Sequence, residues 1–153
     1  MNVAIVNSQE ELAKCLRVRK DVFVQEQGVA EELEVDEYDI SANAAVHFLL
    51  RDENGTELGA SRLKTYEPGS AKLQRIAILK SFRGKGYGRL LVEAMERQAV
   101  QLGYTFAVLD AQVQASAFYA KMGYAVISTE PFLDAGIEHV RMKKPLQLPV
   151  SAD

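Results

Sequence analysis

The sequence predicts one domain of the mixed α/β (α+β) class, a central sheet of about seven strands flanked by helices. Three observations carry this expectation. The chain has 153 residues, about one domain's worth and enough for one sizeable core. Short β-branched runs alternate with helix-period segments in the order β-α, three consecutive strands, then α-β-α-β-β. The three consecutive strands are separated by Asn54-Gly55 and Pro68-Gly69, which are tight-turn dipeptides, so that part of the sheet is antiparallel. No internal repeat or linker interrupts the pattern.

Asn2 to Val6 is a short run rich in Val and Ile and reads as a strand. Asn7 and Ser8 offer N-cap side chains, with Glu10 and Glu11 in the first turn of the helix that follows. From Gln9 to about Glu26 the apolar residues Leu12, Cys15, Leu16, Val18, Val22 and Phe23 recur mostly at spacings of three and four, which predicts an amphipathic helix broken at Gly28. Residues 29–43 carry Glu31, Glu32, Glu34, Asp36, Glu37 and Asp39 without a Lys or Arg. The stretch reads as a loop, too short and acidic to be core. Strands are expected at Ala44–Arg51, Leu58–Tyr66 and Ala71–Leu79. A glycine-rich loop, Ser81–Gly86, runs into a helix from about Tyr87 to Leu102, with a stripe of Leu91, Ala94, Met95, Gln98 and Leu102 and a C-cap at Gly103. Thr105–Asp110 is a strand, Ala115–Lys121 a short helix, and Tyr124–Ser128 and roughly Glu138–Lys143 the closing strands. The domain is taken as 1–144, with 145–153 a loose, proline-punctuated tail.

Composition narrows the function. The chain is 48% hydrophobic and 25% charged with four prolines, which excludes collagen, low complexity and disorder. A net charge of −3 argues against nonspecific binding to nucleic-acid phosphates. Cys15 is the single cysteine. It allows no internal disulfide and no thiolate zinc pair, and it belongs to the apolar face of the first helix. The N-terminus lacks a basic region followed by a long apolar run. No stretch reaches the roughly 20 apolar residues of a membrane span. The expected setting is cytoplasmic, with no metal, no membrane and no nucleic acid.

The most informative segment is Leu73–Leu91, LQRIAILKSFRGKGYGRLL. A strand ends and Arg83-Gly84-Lys85-Gly86-Tyr87-Gly88 opens a helix. The first N–H groups of a helix lack internal partners and the helix dipole adds partial positive charge, so such a junction receives anions. Glycines let an oxygen-rich group approach the backbone, and Arg83, Lys85 and Arg89 add charge. The alternative is a basic surface turn. No Ser or Thr follows Lys85, so this is not the loop of a nucleoside triphosphatase.

Arg83-Gly-Lys-Gly-Tyr-Gly88 resembles the (Arg/Gln)-x-x-Gly-x-(Gly/Ala) signature of the GNAT superfamily of acyl-CoA N-acyltransferases. Arg83, Gly86 and Gly88 fill its defined positions. Leu109 to Tyr124 is similar to the superfamily's second signature: Ala115 and Tyr119 match, Gln112 stands where Asn is usual, and Gly123-Tyr124 replaces Gly-Phe. Asp21–Gln27, the acidic stretch and Phe132–His139 extend the likeness, nearly to Lys144, to the small bacterial YjcF/ElaA-type subgroup.

The resemblance implies a seven-stranded GNAT fold, splayed between the strands at 71–79 and 105–110, and direct transfer of an acetyl group from acetyl-CoA, as cosubstrate, to a primary amine of a small molecule or peptide. It assigns the pantetheine arm to Ile76, Ala77 and Ile78, with a backbone N–H near Ile76 as donor to the thioester oxygen. It assigns the pyrophosphate to Arg83, Gly84, Lys85, Gly86, Tyr87, Gly88 and Arg89, with Gln112, Ala115 and Phe118 completing the cofactor wall. Tyr119 is the implied acid for the departing thiolate, the alternative being a packing aromatic. The base is open. Lys72 and Gln74 flank the strand where many members carry a Glu, and Glu26 is the first candidate, set against a solvated helix-end carboxylate. His47 and His139 are improbable as a metal pair. The acidic stretch is either a solvated loop or a mouth attracting a cationic amine. Two other classes stand beside the enzyme: a CoA-binding module without turnover, and an interaction protein. The chain is expected as monomer or homodimer.

Overall fold

Ser8 caps the first helix as its position predicts, its hydroxyl accepting the Glu11 N–H at 3.1 Å. In the computed structural model, which describes residues 1–147, this helix is α1, Gln9–Arg19, and it continues without a break as a π-helical segment, Lys20–Glu26. Leu12, Cys15, Val18 and Val22 form its buried face, and Gly28, at φ +75°, ends it.

The remaining elements are β1 (Asn2–Ile5), α2 (Glu31–Glu34), β2 (Val46–Arg51), β3 (Glu57–Glu67), β4 (Ser70–Ile78), α3 (Tyr87–Gln101), β5 (Phe106–Gln112), α4 (Ser116–Lys121), β6 (Ala125–Val126), β7 (Phe132–Asp134) and β8 (Ile137–Pro145). The eight strands form one sheet in the order β1-β2-β3-β4-β5-β8-β6, with β7 pairing β8. All pairs are antiparallel except β4 with β5, the expected crossover through α3. Period-two alternation sends Phe48, Leu63, Leu73 and Leu109 to the face covered by α3 and α4, and Leu49, Ala60 and Ala77 to the face covered by α1. Among the described residues no helix is long and apolar enough to cross a membrane.

Three expectations are corrected and one strand is added. The acidic stretch is not a plain loop: it holds α2 and a 3₁₀ turn, Glu37–Asp39, and it sends Glu34 and Asp39 into the interior at 3% and 5% exposure. The buried stripe of α3 is Leu91, Val92, Met95 and Ala99, whereas Leu102 is half exposed; the helix sits rotated by about one position from the apolar count. β7 was not foreseen, because three residues are too few to show a period. It joins β8 through Ala135-Gly136, both at positive φ. Pro145 belongs to β8, and Leu146 donates its N–H to the Thr105 carbonyl at 2.8 Å and packs on the core, so the chain is anchored beyond 144. The tail from 148 lies outside the described residues.

Candidate active site

The parallel ladder between β4 and β5 runs from Ser70 with Phe106 to Leu73 with Leu109 and stops there. β4 goes on to Ile78 and β5 to Gln112 without pairing further with each other. The gap opens a cavity of about 680 Å³, walled on one side by Ile76, Ala77 and Ile78 and on the other by Gln112, Ala115 and Tyr119. Backbone groups on facing edges that no longer pair must find water or a ligand.

A bulge shapes the β4 wall. Gln74 pairs with Arg62 and Ala77 with Ala60, leaving Arg75 and Ile76 opposite Ser61. Arg75 takes φ +56°, a left-handed conformation that costs an ordinary side chain about 1–2 kcal/mol. Its guanidinium is clamped in compensation, donating Nε to the Glu34 carbonyl and Nη2 to the Leu33 carbonyl, both at 3.2 Å.

That clamp is one edge of a buried ion cluster. Arg19 donates Nε to Glu34 Oε1 and Nη1 to Asp39 Oδ1, both at 2.7 Å. Arg62 donates to both Asp36 oxygens at 2.7 Å and to Asp39 Oδ2 at 2.9 Å. Arg75 Nε lies 3.1 Å from Glu34 Oε2. Glu34, Asp36 and Asp39 are thus balanced by Arg19, Arg62 and Arg75, and Glu31 by Lys20. Burial would raise the Asp39 carboxyl, but the Arg19 hydrogen bond and charge reverse this and hold it well below the usual range. Burial opposes Asp36 too, and Arg62 lowers it. Glu34 is pushed up, its burial outweighing the pull of Arg19. The acidic mouth is therefore corrected: its inner carboxylates are neutralised by arginines from α1, β3 and β4.

At the other end of the cleft, the residues after β4 make a 3₁₀ turn at Lys80–Phe82 and then enter α3. Gly84 and Gly86 stand at φ +77° and +84°, and a Cβ at either would meet nothing within 4 Å. The space before the helix terminus is open. The first helical bond joins the Leu90 N–H to the Gly86 carbonyl, so the preceding N–H groups carry no helical partner. Arg83, Gly84, Gly86, Tyr87 and Gly88 line the cavity. Lys85 and Arg89 lie outside that lining, Lys85 beside the Phe82 ring and Arg89 3.8 Å from Glu93.

Arg83 also settles what Glu26 touches. Its two terminal nitrogens grip the Glu26 carboxylate at 2.5 and 2.7 Å, and its Nε donates to the Ile78 carbonyl at 2.9 Å. The Arg83 hydrogen bond lowers the Glu26 carboxyl. Glu26 does not line the cavity. A carboxylate so held is a weak proton acceptor; its position fits a brace between the first helix and the glycine loop.

Tyr119 is 9% exposed and packs edge-on against Phe118 and Tyr124, with centroids 5.0 and 6.0 Å away. Burial pushes its hydroxyl up to about 12, so it stays protonated at neutral pH, more firmly than an ordinary tyrosine near ~10. The hydroxyl has no hydrogen-bond partner among the described residues, and Tyr119 lines the cavity. Phe118 and Ala115 line the same wall. Gln112 donates to Gln27 Oε1 at 2.8 Å and accepts from Gln114 at 2.6 Å, tying the end of β5 to the segment after the first helix. Cys15 is core, its thiol pushed up to about 12 by burial.

Among the lining residues that the sequence does not assign to the site are Gln27 and Asp134, together with His139, which the sequence brings up only as an improbable metal ligand. Asp134 and His139 arrive on the β7–β8 hairpin, whose short strand left no pattern to read. Lys72 is deeply set, its Nζ 2.9 Å from the Asp110 carboxylate that Arg141 holds on the other side at 2.8 Å.

Comparison with known proteins agrees with this geometry. The profile of the acetyltransferase (GNAT) domain matches residues 8–146. The chain is 40% identical over 144 residues to an uncharacterized N-acetyltransferase, YjcF, of Bacillus subtilis, covering 94% of this chain and 99% of that one. An acyl-CoA N-acyltransferase structure from Pseudomonas aeruginosa superposes with a TM-score of 0.79 at 26% identity, over 94% of this chain and 99% of that one. Escherichia coli ElaA has the same fold, with a TM-score of 0.78 at 21% identity, over 94% and 99% of the two chains.

Proposed function

The chain belongs to the GNAT acetyltransferase family, and we propose that it transfers an acetyl group directly from acetyl-CoA to a primary amine. The observation that carries this reading is the divergence of β4 from β5 beyond Leu73 and Leu109, with the glycine loop at one end and Tyr119 on its wall. The fit is physical. The cleft offers unpaired strand edges for the amide-rich pantetheine arm along Ile76–Ile78, and open space before helix N–H groups for a pyrophosphate at Arg83–Gly88. When bound, acetyl-CoA supplies an activated acyl carbon.

In this reading the Ile76 N–H, at the β4 bulge, is the donor to the carbonyl oxygen, where negative charge develops. Tyr119 gives a hydrogen bond to the departing sulfur. With its hydroxyl raised to about 12, well above the ordinary thiol value of ~8.5, it acts as a donor that steadies the thiolate rather than as a free source of protons. Gln112, Ala115 and Phe118 shape the wall beside it. Lys85 and Arg89 contribute long-range attraction. The acceptor enters from the side bounded by α2 and the β7–β8 hairpin.

The engagement of Glu26 by Arg83 favours one second reading, a CoA-binding module without turnover. One experiment separates the two: acetyl-CoA is offered with a panel of polyamines, amino sugars, amino acids and peptide N-termini, and free thiol is followed. Amine-dependent thiol release supports transfer. CoA binding without release across the panel supports the module.

A further inference from the structure

His139 lies on β8, paired in register with Gln112 at the end of β5. That is the wall of the cleft facing Ile76–Ile78. Its Nδ1 is 2.6 Å from the Ile137 carbonyl. A carbonyl oxygen can only accept, so Nδ1 carries the proton. In the neutral ring, Nε2 then carries a lone pair. The Phe132 ring stacks beside the imidazole, 6.2 Å between centroids and 23° from parallel. Nε2 has no partner among the described residues, while the side chain as a whole is 9% exposed and lines the cavity. The other charged groups in the lining are Glu34, Lys72, Arg75, Arg83, Asp110 and Asp134. Glu34 and Arg75 belong to the ion cluster, Lys72 and Asp110 pair with each other, and Arg83 is held by Glu26. His139 presents a lone pair that no neighbour among the described residues occupies. Asp134 pairs in register with Ile137 and is exposed on the short hairpin strand.

Resting on the acetyl-transfer reading, we propose that His139 is the general base, its Nε2 accepting the proton of the acceptor's ammonium group. The neutral amine forms the C–N bond with the acetyl carbon as the C–S bond breaks and its electron pair leaves on sulfur. The sulfur, hydrogen-bonded by Tyr119, gains the second amine proton through water. The imidazolium returns its proton to solvent. The products are the amide, the CoA thiol and one released proton, so the step needs no further reactant.

Two measurements test this. The first needs no turnover: a long-range ¹⁵N–¹H spectrum of the whole protein near neutral pH, with His139 distinguished from His47 by comparison with His139→Asn. The Nδ1–H tautomer is expected; the Nε2–H tautomer overturns the proposal. The second compares benzylamine, protonated at neutral pH, with aniline, which is neutral there and needs no base to free its lone pair. His139→Asn keeps a donor near Nδ1 but no base. It should lower turnover with benzylamine about 10²-fold or more, leave aniline within about threefold, and leave acetyl-CoA affinity unchanged. His139→Gln should behave alike. Equal losses with both amines, or none with either, overturn the proposal. A wild type that acetylates neither amine counts against the transfer reading itself, and the tautomer then decides the histidine's case alone.

Discussion

Two charged segments of this chain meet opposite fates. The acidic stretch at 29–43 is the densest run of one sign in the sequence, yet Glu34, Asp36 and Asp39 end buried or half-buried against Arg19, Arg62 and Arg75. The glycine loop at 83–88 carries fewer charges, yet it keeps open space in front of its backbone and unpaired N–H groups at the start of α3. Charge density along a chain thus says little about where a ligand binds. What matters is whether the fold brings partners that satisfy it. The first segment became scaffold, holding the left-handed Arg75 at the β4 bulge; the second kept N–H groups without helical partners facing open space.

The contrast can be broken first at its most buried point. Arg19→Met should cost about 3–5 kcal/mol of unfolding free energy, because Glu34 and Asp39 lose their common partner in the interior. Arg89→Met, which removes a cation from an exposed helix pair, should cost below about 1 kcal/mol. Chemical denaturation of the two variants measures the difference directly.

Acid acts on this cluster and on Asp110, which Lys72 and Arg141 hold apart from it. Asp36, Asp39 and Asp110 are all lowered in the fold. Their stabilisation is therefore present above the unfolded Asp value near ~3.9 and is lost as pH falls through the lower folded values. Glu34, raised by burial, works in the opposite sense, contributing most below the unfolded Glu value. These three aspartates and Glu26, lowered by the Arg83 hydrogen bond, outnumber the one raised glutamate, so stability should drop below about pH 4, measured by urea melts across the acid range.

Smaller effects belong to the receptive side. Tyr119→Phe keeps the ring packing and removes only the hydroxyl. It should lower turnover by about 10–10²-fold while CoA affinity holds; an equal fall in affinity would make Tyr119 an anchoring residue. Gly86→Val forces a β-branched side chain into φ +84° and should weaken CoA about tenfold, the cost of ~1–2 kcal/mol of backbone strain. Calorimetry checks it. Lys85→Ala should weaken CoA about twofold to threefold at low salt and not at high salt, as befits a screened charge outside the lining.

How much of this was legible follows from where each signal lies. Element order, the Ser8 cap, the Asn54-Gly55 turn and the glycine loop are written in local patterns of a few adjacent residues, whereas Tyr119 is singled out only by the family resemblance. The arginines that neutralise Glu34, Asp36 and Asp39 come from positions 19, 62 and 75, so their partnership exists only after the sheet forms. The same holds for the grip of Arg83 on Glu26, which takes Glu26 away from the role its position suggested. His139 reached the cleft through the β7–β8 hairpin, and three-residue β7 is too short for periodicity to announce.

Hydrogen exchange of the whole protein with and without acetyl-CoA tests the central contrast most directly. Slower exchange is expected at the amides of 75–78 and 84–89, where the cleft and glycine loop would be covered, with no change at 31–39, where the carboxylates are already partnered. Protection confined to 31–39, or no protection at 84–89 with acetyl-CoA bound, would contradict the account.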